Sequence, residues 1–262
     1  MDPGPLRDGL TVVAGVATGM MSGAFGVGGA VISTPAIRLL GASAAVAVGT
    51  TLPSIGPGAV SGAARYQPQG LVDWPLVAAT VPTGIVAAVV GAVLAHVLPG
   101  GGHPLMVMTA LLLLWSAIRL IRDRPSRPRS RPVVPPTGAR RLVATGGIGA
   151  AAGLLSGLLG IGGGVLMVPG FHGLLGVPIK RAIATSLVCV GCFAVPGTIT
   201  HSINGSIDWR FAFWLAVGVV PGATLGAIVA IRADDHRLRV AFGSFLVVVA
   251  VAYGAGEVAA LF

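Results

Sequence analysis

Apolar residues run through this chain in long blocks separated by short polar or glycine- and proline-containing stretches. The blocks fall at about 9–41, 43–65, 75–97 and 104–121, and again at 142–176, 178–203, 209–231 and 237–260. A hydrocarbon core of about 30 Å takes roughly 20 apolar residues per helical span. The pattern therefore predicts an all-α, polytopic membrane protein. The opening block of each set is too long for one crossing, since a straight helix over 9–41 would run ~50 Å at about 1.5 Å per residue. It must tilt severely or fold back. A glycine cluster sits near its middle, which predicts two shorter helices joined by a non-helical tip, a re-entrant-like hairpin that enters and leaves from one face.

The two sets of blocks are related in sequence. Laying residues 15–35 over 149–169 gives ten identities in twenty-one positions. Gly15, Gly19 and Gly23 fall on Gly149, Gly153 and Gly157, while Gly26, Gly28, Gly29 and Pro35 fall on Gly160, Gly162, Gly163 and Pro169. After a one-residue shift, Thr50 falls on Thr185 and Asp73-Trp74 on Asp208-Trp209. The chain thus reads as an internal duplication, with a first repeat over 1–121 and a second over 142–262. Between them, residues 122–141 hold seven arginines and five prolines, a composition that favours an extended, solvated linker in contact with anionic headgroups.

Composition supports the membrane reading: 54% of the residues are hydrophobic, 10% are charged, and the mean hydropathy is +0.90. The acids and prolines of "MDPGPLRD" argue against a removable signal peptide. The net charge of +9 lies in loops between spans, where orientation signals are expected, and does not point to nucleic acid. Charge also discriminates between topologies. If each opening block is a hairpin, the two repeats are inverted, and Lys/Arg divide fourteen on the linker side against three (Arg7, Arg38, Arg210) on the other. A single crossing gives eleven against six, so the positive-inside rule favours inverted repeats and a cytoplasmic linker in the cell membrane.

Non-helical backbone at membrane depth must be buried in protein or face a wet cavity. Helices starting just after "GVGGA" and "GIGGG" would present unpaired N–H groups and a positive dipole end at each tip, and glycine lets a ligand approach that backbone. This makes Gly26, Gly28, Gly29, Gly160, Gly162, Gly163 and Gly164 candidate anion ligands. The upstream glycines at i, i+4 and i+8 read instead as a close-packing face between helices. The hydroxyls of Thr50, Thr51, Thr185 and Ser186 either bond carbonyls of their own or neighbouring helices or donate to the same anion. Arg65 and His201 end corresponding blocks; they either mark the membrane boundary or serve as an anion partner and a proton carrier respectively. His172 and His96 have weaker claims, and Glu257 is the acid of the last block. Asp73-Trp74 and Asp208-Trp209 suit helix starts at the interface, with aspartate capping and tryptophan anchoring. Cys189 and Cys192 form a lone CxxC, half of a zinc site, and read as packing residues. The glycines lack the strand and βαβ unit of a nucleotide fold. With few acids and no Walker, zinc or nucleophile motif, the chain is expected to be no enzyme and to need no cofactor or metal.

The pattern G-x-x-G-x-G-G-G-x-x-x-x-P around a basic linker resembles the TauE/SafE family of permeases, the sulfite exporter group, over about residues 9–260. Gly160, Gly162, Gly163, Gly164 and Pro169 match the motif fully, while the first repeat has Ala30 where a third glycine is expected. The resemblance implies transport of sulfur-containing anions such as sulfite, sulfonates or sulfoacetate, coupled to an ion gradient. The expected partners are a small anion and the lipid bilayer, and a homodimer is compatible with the sequence. An anion channel using the same tips as a filter, and a non-transporting scaffold whose glycines serve packing, are the competing readings.

Overall fold

The computed structural model describes residues 4–42, 44–97, 114, 117–118, 138–159 and 162–261. Most of the block 104–121, most of the linker, and Gly160 lie outside the described residues, as do the side chains of His96 and Glu257. The chain forms α1 (Pro5–Phe25), α2 (Ala30–Leu39), α3 (Ala44–Tyr66), α4 (Trp74–Val97), α5 (Ala139–Leu159), α6 (Gly164–Gly173), α7 (Ile179–Ile203), α8 (Trp209–Arg232) and α9 (Asp235–Leu261). Among the described residues there is one 3-10 turn, Gln67–Gln69, and no strand. Among the described residues, four stretches are long and apolar enough to cross a membrane: Trp74–Leu94, Ala139–Leu158, Ile179–Ile203 and Trp209–Arg232.

Both opening blocks are interrupted at the glycine clusters. α1 stops where Gly26 turns left-handed, at a φ of 69°, and its N–H returns to Ser22 O at 2.7 Å. α2 then starts against the last two turns of α1, with Gly29 lying on Thr18 and Ser22. The starts of α4 and α8 follow the sequence expectation. Asp208 Oδ1 accepts from the N–H groups of Arg210 and Phe211 at 3.0 and 3.1 Å, and Asp73 Oδ1 accepts from Leu76 N–H at 3.1 Å. Trp74 and Trp209, beside these caps, are exposed.

The glycine rows determine which helices pair. In lipid, apolar side chains gain little by leaving the solvent, so close backbone approach supplies most of the association energy. Gly15, Gly19 and Gly23 of α1 lie on α8 near Leu215, Val219 and Ala223, while Gly218, Gly222 and Gly226 of α8 lie back on Val12, Val16 and Met20. The two helices run parallel with backbones in contact, and a Cβ on Gly15 would stand 2.6 Å from Leu215 O. A second pair repeats the arrangement. Gly149, Gly153 and Gly157 of α5 lie on Thr80, Gly84 and Ala88 of α4, again parallel, and a Cβ on Gly149 would stand 2.5 Å from Thr80 O. In each pair the opening helix of one half is matched with the fourth helix of the other. α3 and α7 cross the centre antiparallel, with Gly191 against Ala59 and Gly197 against Leu52.

Two hydrogen bonds tie the halves together in the same reciprocal manner. Thr50 Oγ1 accepts from Asp208 N–H at 3.0 Å, and Thr185 Oγ1 accepts from Asp73 N–H at 3.0 Å. Each threonine therefore holds the helix cap of the opposite half. At the end of the bundle where α1, α3 and α8 begin, Asp8 pairs with Arg210 at 2.6 Å. There the buried Arg7 lies 4.1 Å above the Phe211 ring and 3.9 Å from Asp208. At the other end, Lys180 donates to Ile231 O at 3.0 Å and lies 3.5 Å from Asp235.

Candidate functional site

The two glycine tips have the same backbone hydrogen bonding. At the first, Ala30 N–H donates to Gly28 O at 3.0 Å, and the N–H groups of Ile32 and Ser33 donate to Gly29 O at 2.9 and 3.2 Å. At the second, Gly164 N–H donates to Gly162 O at 2.8 Å, and the N–H groups of Leu166 and Met167 donate to Gly163 O at 3.1 and 3.2 Å. These are the same three bonds, residue for residue in the alignment of the halves. Gly28, Gly29, Gly162 and Gly163 all hold positive φ, between 64° and 86°, a region in which a side chain is disfavoured. Among the described residues no acceptor pairs with the amides of these four glycines. All four residues are buried.

The tips meet. A Cβ on Gly28 would stand 3.6 Å from Gly162 Cα, and one on Gly162 would stand 3.4 Å from Val27 O. Val27 is fully buried between them, and Val190 of α7 covers both glycines, its Cγ1 lying 3.0 Å from a Cβ built on Gly162. Gly164 has no room for a methyl group, because it would overlap Gly26 O and stand 2.7 Å from Val27 Cα. The starts of α2 and α6 therefore meet under protein cover at Val27, Gly28 and Gly162, while Gly29 and Gly163 face Thr18 and Ala152 on either side.

The hydroxyls near the tips divide. Thr50, Thr51, Thr185 and Ser186 are all fully buried. Thr51 Oγ1 donates to Val48 O at 2.9 Å, and Ser186 Oγ donates to Gly26 O of the first tip at 2.8 Å, so both hydroxyl protons are engaged with backbone. Thr50 and Thr185 accept from the opposite half, as described above. Arg65 is exposed in the last turn of α3, where it lines a cavity of about 360 Å³ together with Gln69, Ile228, Ile231 and Arg232. His201 is half-buried near the end of α7, its Nδ1 3.1 Å from a Cβ built on Gly49. His172 closes the turn into α7, with Nδ1 2.8 Å from Val177 O. Cys189 is buried and Cys192 half-buried, and both are free thiols. No group of three or more His, Cys, Asp or Glu among the described residues is placed to hold a metal ion.

Thr18 is absent from the sequence-derived candidates. It is 2% exposed, its methyl group lies against Gly29 (2.6 Å from a built Cβ), and its hydroxyl has no hydrogen-bond partner among the described residues. The signal was available, because Thr18 aligns with Ala152 inside an otherwise closely matched segment. A polar residue at one copy of a packing position has no packing reason to be there.

A helical bundle that holds, among the described residues, four helices long and apolar enough to cross a membrane has the make-up of a polytopic membrane protein. Comparison with known proteins gives the family. The chain belongs to the Sulfite exporter TauE/SafE family, whose profile matches residues 11–253. It is 28% identical over 246 residues to a "Probable membrane transporter protein" of Xylella fastidiosa, covering 92% of this chain and 93% of the relative. It is 26% identical over 245 residues to "Probable membrane transporter protein YjnA" of Bacillus subtilis, covering 90% and 96%. A shorter match, 34% identical over 116 residues, covers 43% of this chain and 18% of "Probable membrane transporter protein MamO" of Paramagnetospirillum magneticum. No solved structure matches the chain. The protein is a membrane transporter of the TauE/SafE family.

Proposed function

We propose that the protein is a secondary transporter of small oxyanions, sulfite, sulfonates or sulfoacetate foremost, working by alternating access in the plasma membrane with its substrate at the two glycine tips. The observation that carries this reading is that the starts of α2 and α6 meet at Val27, Gly28 and Gly162 in buried, positive-φ backbone, and that the amides of Gly28, Gly29, Gly162 and Gly163 have no acceptor among the described residues. A small anion accepts several N–H bonds at once and complements both helix dipoles. Gly26 and Gly164 shape the approach, and the hydroxyl of Thr18 joins the amides of the first tip. Thr50, Thr51, Thr185 and Ser186 hold the surrounding helices in place. Because the tips touch, a ligand reaches these amides only when they separate, which ties binding to movement.

In this reading the halves are inverted repeats, each a re-entrant hairpin followed by three spanning helices. The parallel pairing of α1 with α8 and of α5 with α4 supports it, as do the reciprocal bonds of Thr50 to Asp208 and Thr185 to Asp73. The fourteen-to-three division of cations supports a cytoplasmic linker. His201 is the candidate proton carrier for coupling. Proteoliposomes containing the full chain test the proposal by uptake of labelled sulfite, sulfoacetate and taurine. Saturable uptake driven by a proton gradient is expected. Ohmic current would replace the transporter with a channel, and absence of both uptake and any anion-dependent thermal shift would leave a scaffold.

A further inference from the structure

The cavity of about 360 Å³ between the ends of α3 and α8 has a charge arrangement that the tips do not explain. Arg65 and Arg232 both line it, each from the last turn of its helix. A cation in the last turn complements a helix dipole, which accounts for each arginine singly. It does not account for two guanidinium groups sharing one concavity. Among the described residues neither Arg65 nor Arg232 has a hydrogen-bond or ion-pair partner. The nearby acids face other cations: Asp235 lies 3.5 Å from Lys180, and Asp234 lies 3.9 Å from Arg237. Lys180, which donates to the carbonyl of the lining residue Ile231, is itself paired with Asp235, so the two arginines carry the uncompensated charge of the wall.

The remaining lining describes the rest of the ligand. Ile228 and Ile231 give an apolar side, and Gln69 adds a polar group at the rim. Arg232 is also the last residue of a stretch long and apolar enough to span the bilayer, which puts the cavity at headgroup depth. We infer that the Arg65–Arg232 cavity is a binding site for a phosphate-type oxyanion, presented by the headgroup of an anionic membrane lipid whose acyl chains lie along the isoleucine wall. Two arginines lining one cavity suit a phosphodiester, and basic pockets between spanning helices are where such headgroups dock. This site is separate from the glycine tips and does not depend on what they transport.

Thermal shift of the purified full-length protein in neutral detergent tests the site. Its arms are short-chain phosphatidylglycerol, short-chain phosphatidylcholine and inorganic phosphate, since a ligand that binds the folded state raises Tm. Phosphatidylglycerol should raise Tm and phosphatidylcholine should not. R65Q/R232Q should need about thirtyfold more phosphatidylglycerol for the same shift, each single variant about fivefold, from about 1 kcal/mol per basic residue at the surface. R181Q removes an exposed cation that does not line the cavity and should respond as the native chain does. An equal response of the native chain and R65Q/R232Q overturns the proposal. A response to inorganic phosphate that matches phosphatidylglycerol and vanishes in R65Q/R232Q keeps the oxyanion site and overturns the lipid as its source.

Discussion

The two glycine tips share a backbone and differ in what surrounds it. The three hydrogen bonds that start α2 recur at the start of α6, and the glycines at corresponding positions hold positive φ in both. Around the first tip, however, Thr18 sets its methyl group against Gly29 and has a hydroxyl with no partner among the described residues, whereas the second tip has Ala152 against Gly163. The first tip starts its helix with Ala30 and tolerates that methyl group in a fully buried position; the second starts with Gly164, pressed on Gly26 and Val27. The duplication has kept the backbone geometry that exposes amides and has let the side chains diverge. In the proposed anion-binding reading the two tips are unequal, with Thr18 beside one and the tighter backbone approach at the other.

The largest effect should come from filling the tighter side. Gly164→Val forces a side chain into Gly26 and should cost about 3 kcal/mol or more, at the upper end of overpacking, with loss of uptake. The reverse change at the matching position, Ala30→Gly, should cost only about 1 kcal/mol. Melting temperature and labelled-anion uptake measured on both variants would show whether the tips are as unequal as their packing. A smaller effect is expected from Thr18→Val. Loss of the hydroxyl should raise the transport KM about fivefold, the equivalent of roughly 1 kcal/mol of hydrogen bonding, while Tm stays level or rises because an unpaired polar group has been removed. An unchanged KM with a raised Tm would make Thr18 a buried liability and the tips functionally alike. The smallest and most symmetrical effect belongs to the threonines that cap the opposite half. Thr50→Val and Thr185→Val should each lower stability by about 1 kcal/mol, and by similar amounts, in denaturant or thermal unfolding. A markedly unequal pair of values would show that the likeness of the halves does not extend beyond the tips.

How much of this was legible in the sequence depends on the kind of information each residue carries. Glycine clusters marked the interruptions after Phe25 and Leu159, because glycine density inside an apolar block has few other causes. The spacing of Gly15, Gly19 and Gly23 identified a contact face and said nothing about its occupant, so the pairing of α1 with α8 had to come from the structure. Asp73 and Asp208 were readable as caps from their place before tryptophan, but nothing local linked Asp208 to Thr50, since residues so far apart meet only through the fold. Thr51 and Ser186 carry hydroxyls whose donors are turned to Val48 and Gly26, a choice set by rotamer and neighbour. Arg232 was one topological charge among many until the structure set it beside Arg65. Gly160 and most of the linker lie outside the described residues.

The crossed arrangement of helices also bears on how such a chain could have begun. Because α1 is completed by α8 and α4 by α5, a polypeptide ending at the linker would leave both of its small-residue faces bare and both threonine caps without a receiver. It could cover them by clasping a second copy of itself, each lending the other its fourth helix. The arginine- and proline-rich stretch would then be a tether added to a partnership that the packing already required.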